Sequence, residues 1–331
     1  MRLLNQPLSQ EEQGDPLMNK LTKAGIAGFL FALTATIAGC GSSADTTDTT
    51  IAVEATESTA TYPVTVGDLT LDAQPMRIIS LSPTSTEMLY AIGAGAQVVA
   101  VDEYSNYPAE AVALGTMLSG FEPNIEAISG FTPDLVIASY DPGSLAEQLG
   151  SLNIPLFIAN APSNLDSVYE QIEQLGLLVG HVTEADQLVA SMQTEIDAAV
   201  AAVVAPATPL SYYYELDDTY YSVTSNSFIG QLFNLFGLRN IADNAEAGND
   251  YPQLSAEAIV SSNPDIIVLA DTKCCAQTAE TVAARDGWGG MAAVVAGNIA
   301  LLDDDIASRW GPRIVELVVA IGEAITKASA K

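Results

Sequence analysis

Two stretches of the chain carry one pattern 131 residues apart: IEAISGFTPDLVIA from Ile125 and AEAIVSSNPDIIVLA from Ala256. Glu126 answers to Glu257 and Pro133 to Pro264, and each copy reads as a short helix, a Pro-Asp turn and an apolar, β-rich strand. Glycine-ended helices repeat as well, with Ile92-Gly93 set against Phe236-Gly237. A pattern present twice, and no more, predicts two similar lobes rather than a solenoid.

Around the first copy, strands alternate with helices. RIISLSP, QVVAVDEY, the strand in TPDLVIAS and IPLFIAN read as strands, with TSTEMLYAIGAG and GSLAEQLGSLN as helices between them. Thr84, Ser85 or Thr86 is placed to cap the first of these helices. Around the second copy, LSYYYEL is a strand, and SFIGQLFNLFGLRNIAD is a helix followed by a glycine and a short extended piece. This alternation implies α/β lobes with mainly parallel, doubly wound sheets. Ahead of the first lobe, YPVTV and LTL flank Gly67-Asp68 and read as a small hairpin.

Between the lobes lies Asn164 to Val204, which reads as nearly continuous helix. Val168, Ile172, Leu175 and Val179, then Leu188, Met192, Ile196 and Val200, recur at three- and four-residue steps on one face. The interruption is Gly180-His181, after which Thr183 is expected to cap a second segment, and Pro206 ends the run. The expected organisation is an N-terminal extension and export signal over 1–40, a disordered tether over 41–61, a first lobe over 62–182, an interlobe helix over 183–205 and a second lobe over 206–331.

The first 17 residues are polar. Met18 then opens a basic segment with Lys20 and Lys23, followed by an apolar run from Ala24 to Gly39, the dimensions of a secretion signal. Translation therefore starts at Met18 or, with an extension, at Met1. Ile37-Ala38-Gly39-Cys40 resembles the lipobox of bacterial lipoproteins, which makes Cys40 the expected lipidation site. The stretch that follows is rich in Ser, Thr and Ala and has little to bury. The folded part is thus expected outside the cytoplasmic membrane, tethered by lipid.

Charge and composition exclude several functions. The 41 acidic residues against 11 basic ones give a net charge of −30, which argues against nucleic acid as a partner. One histidine, His181, and three cysteines leave no Cys/His metal set and no resident metal or cofactor is expected. A Ser-His-Asp set would have to use His181 at a helix junction.

Over residues 62 to 326 the chain resembles the extracytoplasmic substrate-binding lipoproteins of ABC importers for iron-siderophores, haem and cobalamin. RIISLSPTSTEMLYAIGAG, VDEYSNYP, the two paired modules and ASRWGPRIVEL carry the likeness. It implies two Rossmann-like lobes joined by a single long helix, the class III periplasmic-binding-protein fold, with a ligand between the lobes and no enzymatic activity. By the same likeness Tyr104, Tyr107 and Phe121 of the first lobe, with Tyr221, Tyr251, Asp305 and Arg309 of the second, contact the ligand. Glu126 and Glu257 dock on arginines of a membrane permease, which an ATPase drives. The protein is expected to act as a monomer.

The chain after Cys40 holds eight basic residues, few of them placed to neutralise an anionic ferric catecholate. With the EYSNYP and RWGPR likeness this favours a corrinoid such as cobalamin over a ferric siderophore. Ile306 departs from the tryptophan common in cobalamin receptors. Cys274-Cys275 is left to itself in an oxidising compartment, either as a vicinal disulfide or as two thiols. The alternatives to a transport receptor are an extracellular hydrolase using carboxylates such as Asp217, Asp218 and Asp303 to Asp305, and an adhesion or sensing lipoprotein on the same fold.

Overall fold

The structure is a computed structural model that describes residues 60 to 330. Cys40, the export signal and the tether up to Thr59 lie outside the described residues. No described helix is long and apolar enough to cross a membrane.

The hairpin forms as expected: β1 (Val64–Val66) pairs antiparallel with β2 (Leu69–Leu71) around Gly67-Asp68. The first sheet holds β3 (Ile78–Leu81), β4 (Val98–Val101), β5 (Leu135–Ala138) and β6 (Leu156–Ile158), all parallel, in the order β4-β3-β5-β6. A second parallel sheet holds β7 (Ser211–Glu215), β8 (Arg239–Asn240), β9 (Ile266–Leu269) and β10 (Ile299–Leu301), in the order β8-β7-β9-β10. The two orders are the same once each is counted from its own first strand. β5 and β9, which follow the duplicated Pro-Asp, hold the same place in each sheet. Both are buried along their whole length, as parallel strands covered on both faces must be. β10 is apolar too, but it is only three residues long and none of them is fully buried.

The helix Pro83–Ala91 is capped two residues before Thr84, the earliest expected position: Ser82 accepts from the Ser85 amide, and Pro83 opens the first turn. Between the lobes the helical spine has two parts. Leu165–Val179 begins at Asn164, whose side chain forms a capping box with Ser167, and buries Val168, Ile172, Leu175 and Val179 completely. Gly180 ends it in a left-handed conformation (φ 83°) that a side chain would strain. The interlobe helix is Val182–Ala201, about 30 Å long. Thr183 lies inside its first turn, because the chain re-enters helix as soon as Gly180 has turned it, and His181 occupies the capping position without a side-chain bond. The buried stripe is Ala185, Val189, Met192 and Ile196; Leu188 and Val200 are only partly buried. The two helices meet closely at Gly176, where a Cβ would come within 2.4 Å of the Ala185 Cβ.

The C-terminal helix Ile314–Ser329 packs on the other flank of the interlobe helix. One apolar core therefore runs from the first sheet through the spine into the second, joining Ile78 and Leu135 with Tyr212, Val268 and Ile321. Losing a fully buried side chain such as Ile172 to alanine costs about 2–5 kcal/mol.

Candidate functional site

Ligands of parallel α/β sheets collect beyond the carboxyl ends of the strands. Here the residues just past those ends in both sheets line two adjoining cavities. The first, about 400 Å³, is lined by Ser82 after β3, Asp102 and Tyr104 after β4, Ser139 and Tyr140 after β5, with Phe121 and Asp305. The second, about 380 Å³, is lined by Leu216 after β7, Ala270 and Cys274 after β9, and by Pro162, Phe228 and Tyr251. Ser308, Arg309 and Trp310 line both, so they stand between the two. Each volume suits part of a large organic ligand.

Three rings of the first lobe form one exposed cluster. Tyr104 meets Phe121 edge-on at 5.6 Å between centroids, and Phe121 lies 6.4 Å from Tyr140. Tyr104 is 53% exposed and Phe121 62%, so their faces are open to a partner. Tyr251 supplies a ring to the second cavity. Two of the expected aromatic positions lie elsewhere. Tyr107 stacks on the Arg313 guanidinium at 4.3 Å and lines a separate groove of about 700 Å³ beside Tyr90 and Pro312. Tyr221 lines neither cavity and pairs by a backbone bridge with Gln253. Tyr140 and Trp310 belong to the cavities without having been picked out; the first follows a strand end directly, and the second adjoins Arg309.

Charge in the site is internally matched. Arg309 Nη1 donates to Glu87 Oε1 at 2.8 Å and to Asn106 Oδ1 at 2.9 Å, and Nη2 donates to Asp305 Oδ1 at 2.7 Å and to the Tyr104 carbonyl at 3.0 Å. Glu87 also accepts from Arg313 Nε at 2.9 Å and Nη2 at 2.5 Å. Its carboxylate is 1% exposed. Lys273 bridges Asp303 at 2.7 Å and Asp305 at 2.8 Å. Burial pushes the Asp305 carboxyl up, but the hydrogen bond from Lys273 and the nearby Arg309 outweigh it and hold the group below its ordinary value. At Asp102 burial prevails over the hydrogen bond from Ser105, so that carboxyl is raised.

The turn after β9 carries the second of the two readings left open for its cysteines, two thiols. Cys274 and Cys275 form no vicinal disulfide; both are free cysteines. The turn is closed by hydrogen bonds instead: the Asp304 carboxylate accepts from the Lys273 and Cys274 amides, and the Asp271 carbonyl accepts from the Cys275 and Gln277 amides. Desolvation, with Cys275 and Asp304 alongside, pushes the Cys274 thiol up to about 12, so it stays protonated at neutral pH.

Two of the other acids are committed locally. Asp217 accepts from the Thr219 amide and hydroxyl, and Asp303 caps the helix Asp304–Ser308. Among the described residues, no group of three or more His, Cys, Asp or Glu side chains is placed to hold a metal ion.

Glu126 and Glu257 are both exposed and hold the same place in their lobes, the second residue of the helices Ile125–Gly130 and Ala256–Ser262. Asn124 and Ser255 cap those helices through the amides of Ala127 and Ala258.

A family model described as periplasmic binding protein matches residues 78–306. An uncharacterized ABC transporter substrate-binding lipoprotein of Bacillus subtilis, YvrC, is 31% identical, over 92% of this chain and 97% of its own. A cobalamin-binding protein of Halobacterium salinarum is also 31% identical, over 80% of this chain and 74% of its own. The crystal structure of the periplasmic vitamin B12 binding protein BtuF of Vibrio cholerae superposes with a TM-score of 0.64 at 25% identity, covering 78% of this chain and 99% of that one.

Proposed function

The chain belongs to the periplasmic binding protein family and is the substrate-binding protein of an ABC importer; from that premise we propose that it captures a corrinoid between its two lobes and delivers it to a membrane permease. The carrying observation is the charge state of the cleft. Arg309 is the only basic side chain lining either cavity among the described residues, and Glu87 and Asp305 already neutralise it. A multiply anionic ferric catecholate would find no free cation there, and burying unpaired charge is costly. A bulky ligand of low net charge meets what the cleft offers, which is open aromatic faces and apolar walls. The cobalamin-binding relatives fit the same preference.

In this reading Glu126 and Glu257 dock on the permease, one from each lobe, since a transporter with two similar halves meets the same feature twice. Cys40 carries the lipid that keeps the receptor at the outer face of the membrane. The test is titration with cyanocobalamin, haemin and a panel of ferric siderophores, following the fluorescence of Trp310, which lines both cavities. Saturable binding of cyanocobalamin is expected. Tight binding of one siderophore with no response to any corrinoid would overturn the ligand assignment.

A further inference from the structure

Glu87 is an acid with no basic partner nearby in sequence. It is buried within the helix Pro83–Ala91, and its partners lie 222 and 226 residues away on the second lobe. We propose that Glu87 is a positioning residue of the ligand site: by holding Arg309 and Arg313 it clasps the two lobes together and fixes the backbone that presents Tyr104. This rests on reading the two cavities as the ligand site.

The geometry supplies a continuous chain of contacts. Glu87 fixes the Arg309 fork, whose other nitrogen donates to the Tyr104 carbonyl, while Nη1 also holds the Asn106 side chain. Asn106 in turn donates to Asp305 at 3.1 Å, closing a ring of contacts across the lobes. A planar fork is needed to reach these acceptors together, which a lysine ammonium cannot do.

A mechanical argument gives the clasp its role. Joined by the spine alone, the two lobes could rock and twist about its end. A second attachment, on the helix Pro83–Ala91 rather than on the interlobe helix, restrains that motion. Parting at the clasp would leave the buried Glu87 carboxylate without either arginine, which makes opening there unfavourable. The clasp also accounts for an arginine in a site that accepts ligands of low charge: its cation holds protein, and the Tyr104 ring is left free.

Amide hydrogen exchange of the full-length protein tests this without any ligand. In Glu87→Gln, exchange over 104–107 and 308–313 should rise at least about tenfold, while Ile78–Leu81 and Ile266–Leu269 keep their protection. Arg309→Lys should give the same pattern, and Glu87→Asp should recover part of the protection. In a second arm, cyanocobalamin should leave Glu87→Gln about ten times faster than wild type. Unchanged exchange over 104–107 in both Glu87→Gln and Arg309→Lys would overturn the proposal, as would a uniform loss of protection in both lobes. A wild-type protein that ignored cyanocobalamin would count against the corrinoid, and the exchange pattern would still decide the clasp.

Discussion

Asp271 makes stability depend on pH in a direction opposite to that of most carboxylates. It is completely buried just beyond β9, and neither side-chain oxygen receives a hydrogen bond from a donor group. Its neighbour Glu215, equally buried, is gripped by Arg285 through two hydrogen bonds of 2.6 Å each. Burial, followed by the adjacent Glu215 charge, pushes Asp271 from 3.8 up to about 7. In the unfolded chain the proton leaves near pH 4, and in the folded chain near pH 7. Between those values only the folded state holds it, so each added pH unit removes about 1.4 kcal/mol of stability, on the order of 4 kcal/mol in all. Below the window both states are protonated and above it both are ionised, so the contribution is flat on either side. Asn at this position stays neutral throughout. The difference in urea-unfolding free energy between Asp271→Asn and wild type should therefore grow in favour of the variant from pH 4 to pH 8. Taking the difference cancels the other carboxylates. A difference that stays constant with pH would refute the reasoning.

Tyr104→Ala and Phe121→Ala should each weaken cyanocobalamin binding by about 1–2 kcal/mol in calorimetry, whereas Tyr221→Ala, outside both cavities, should leave it within about twofold; equal losses at all three would contradict the placement of the rings. Replacing Glu126 and Glu257 together with alanine should abolish uptake by cells and leave binding by the purified protein intact, and normal uptake would remove the docking role. With a net charge of −30, the folded chain repels itself, so its melting temperature should rise by several degrees as sodium chloride is raised from low to about 1 M; a flat or falling trend would mean the surface charges are already compensated.

The duplicated module made the fold legible because it carries both local signals and their repetition. Pro133-Asp134 and Pro264-Asp265 mark the turns into β5 and β9, and the apolar runs that follow mark buried parallel strands. The spine was legible for the same reason, through periodicity. Its cap was missed because Gly180 turns the chain so tightly that helix resumes before Thr183. In the site, the sequence pointed to rings and to Arg309, but not to what Arg309 does. Its partner Glu87 looks like any helix carboxylate until the fold brings together residues more than two hundred positions apart. Tyr107 was grouped with Tyr104 by the family likeness of EYSNYP, yet their side chains diverge, one onto Arg313 and the other toward Phe121. Adjacent cysteines left ring closure and two thiols equally open, because what holds the turn is Asp304, thirty residues away.

Capture of a corrinoid between the lobes is tested most directly by footprinting the bound protein. On saturation with cyanocobalamin, amide exchange should slow around 102–104, 120–121 and 139–140 in the first lobe and around 304–310 in the second. Protection confined to one lobe, or found only around Tyr90, Tyr107 and Pro312 in the outer groove, would contradict it.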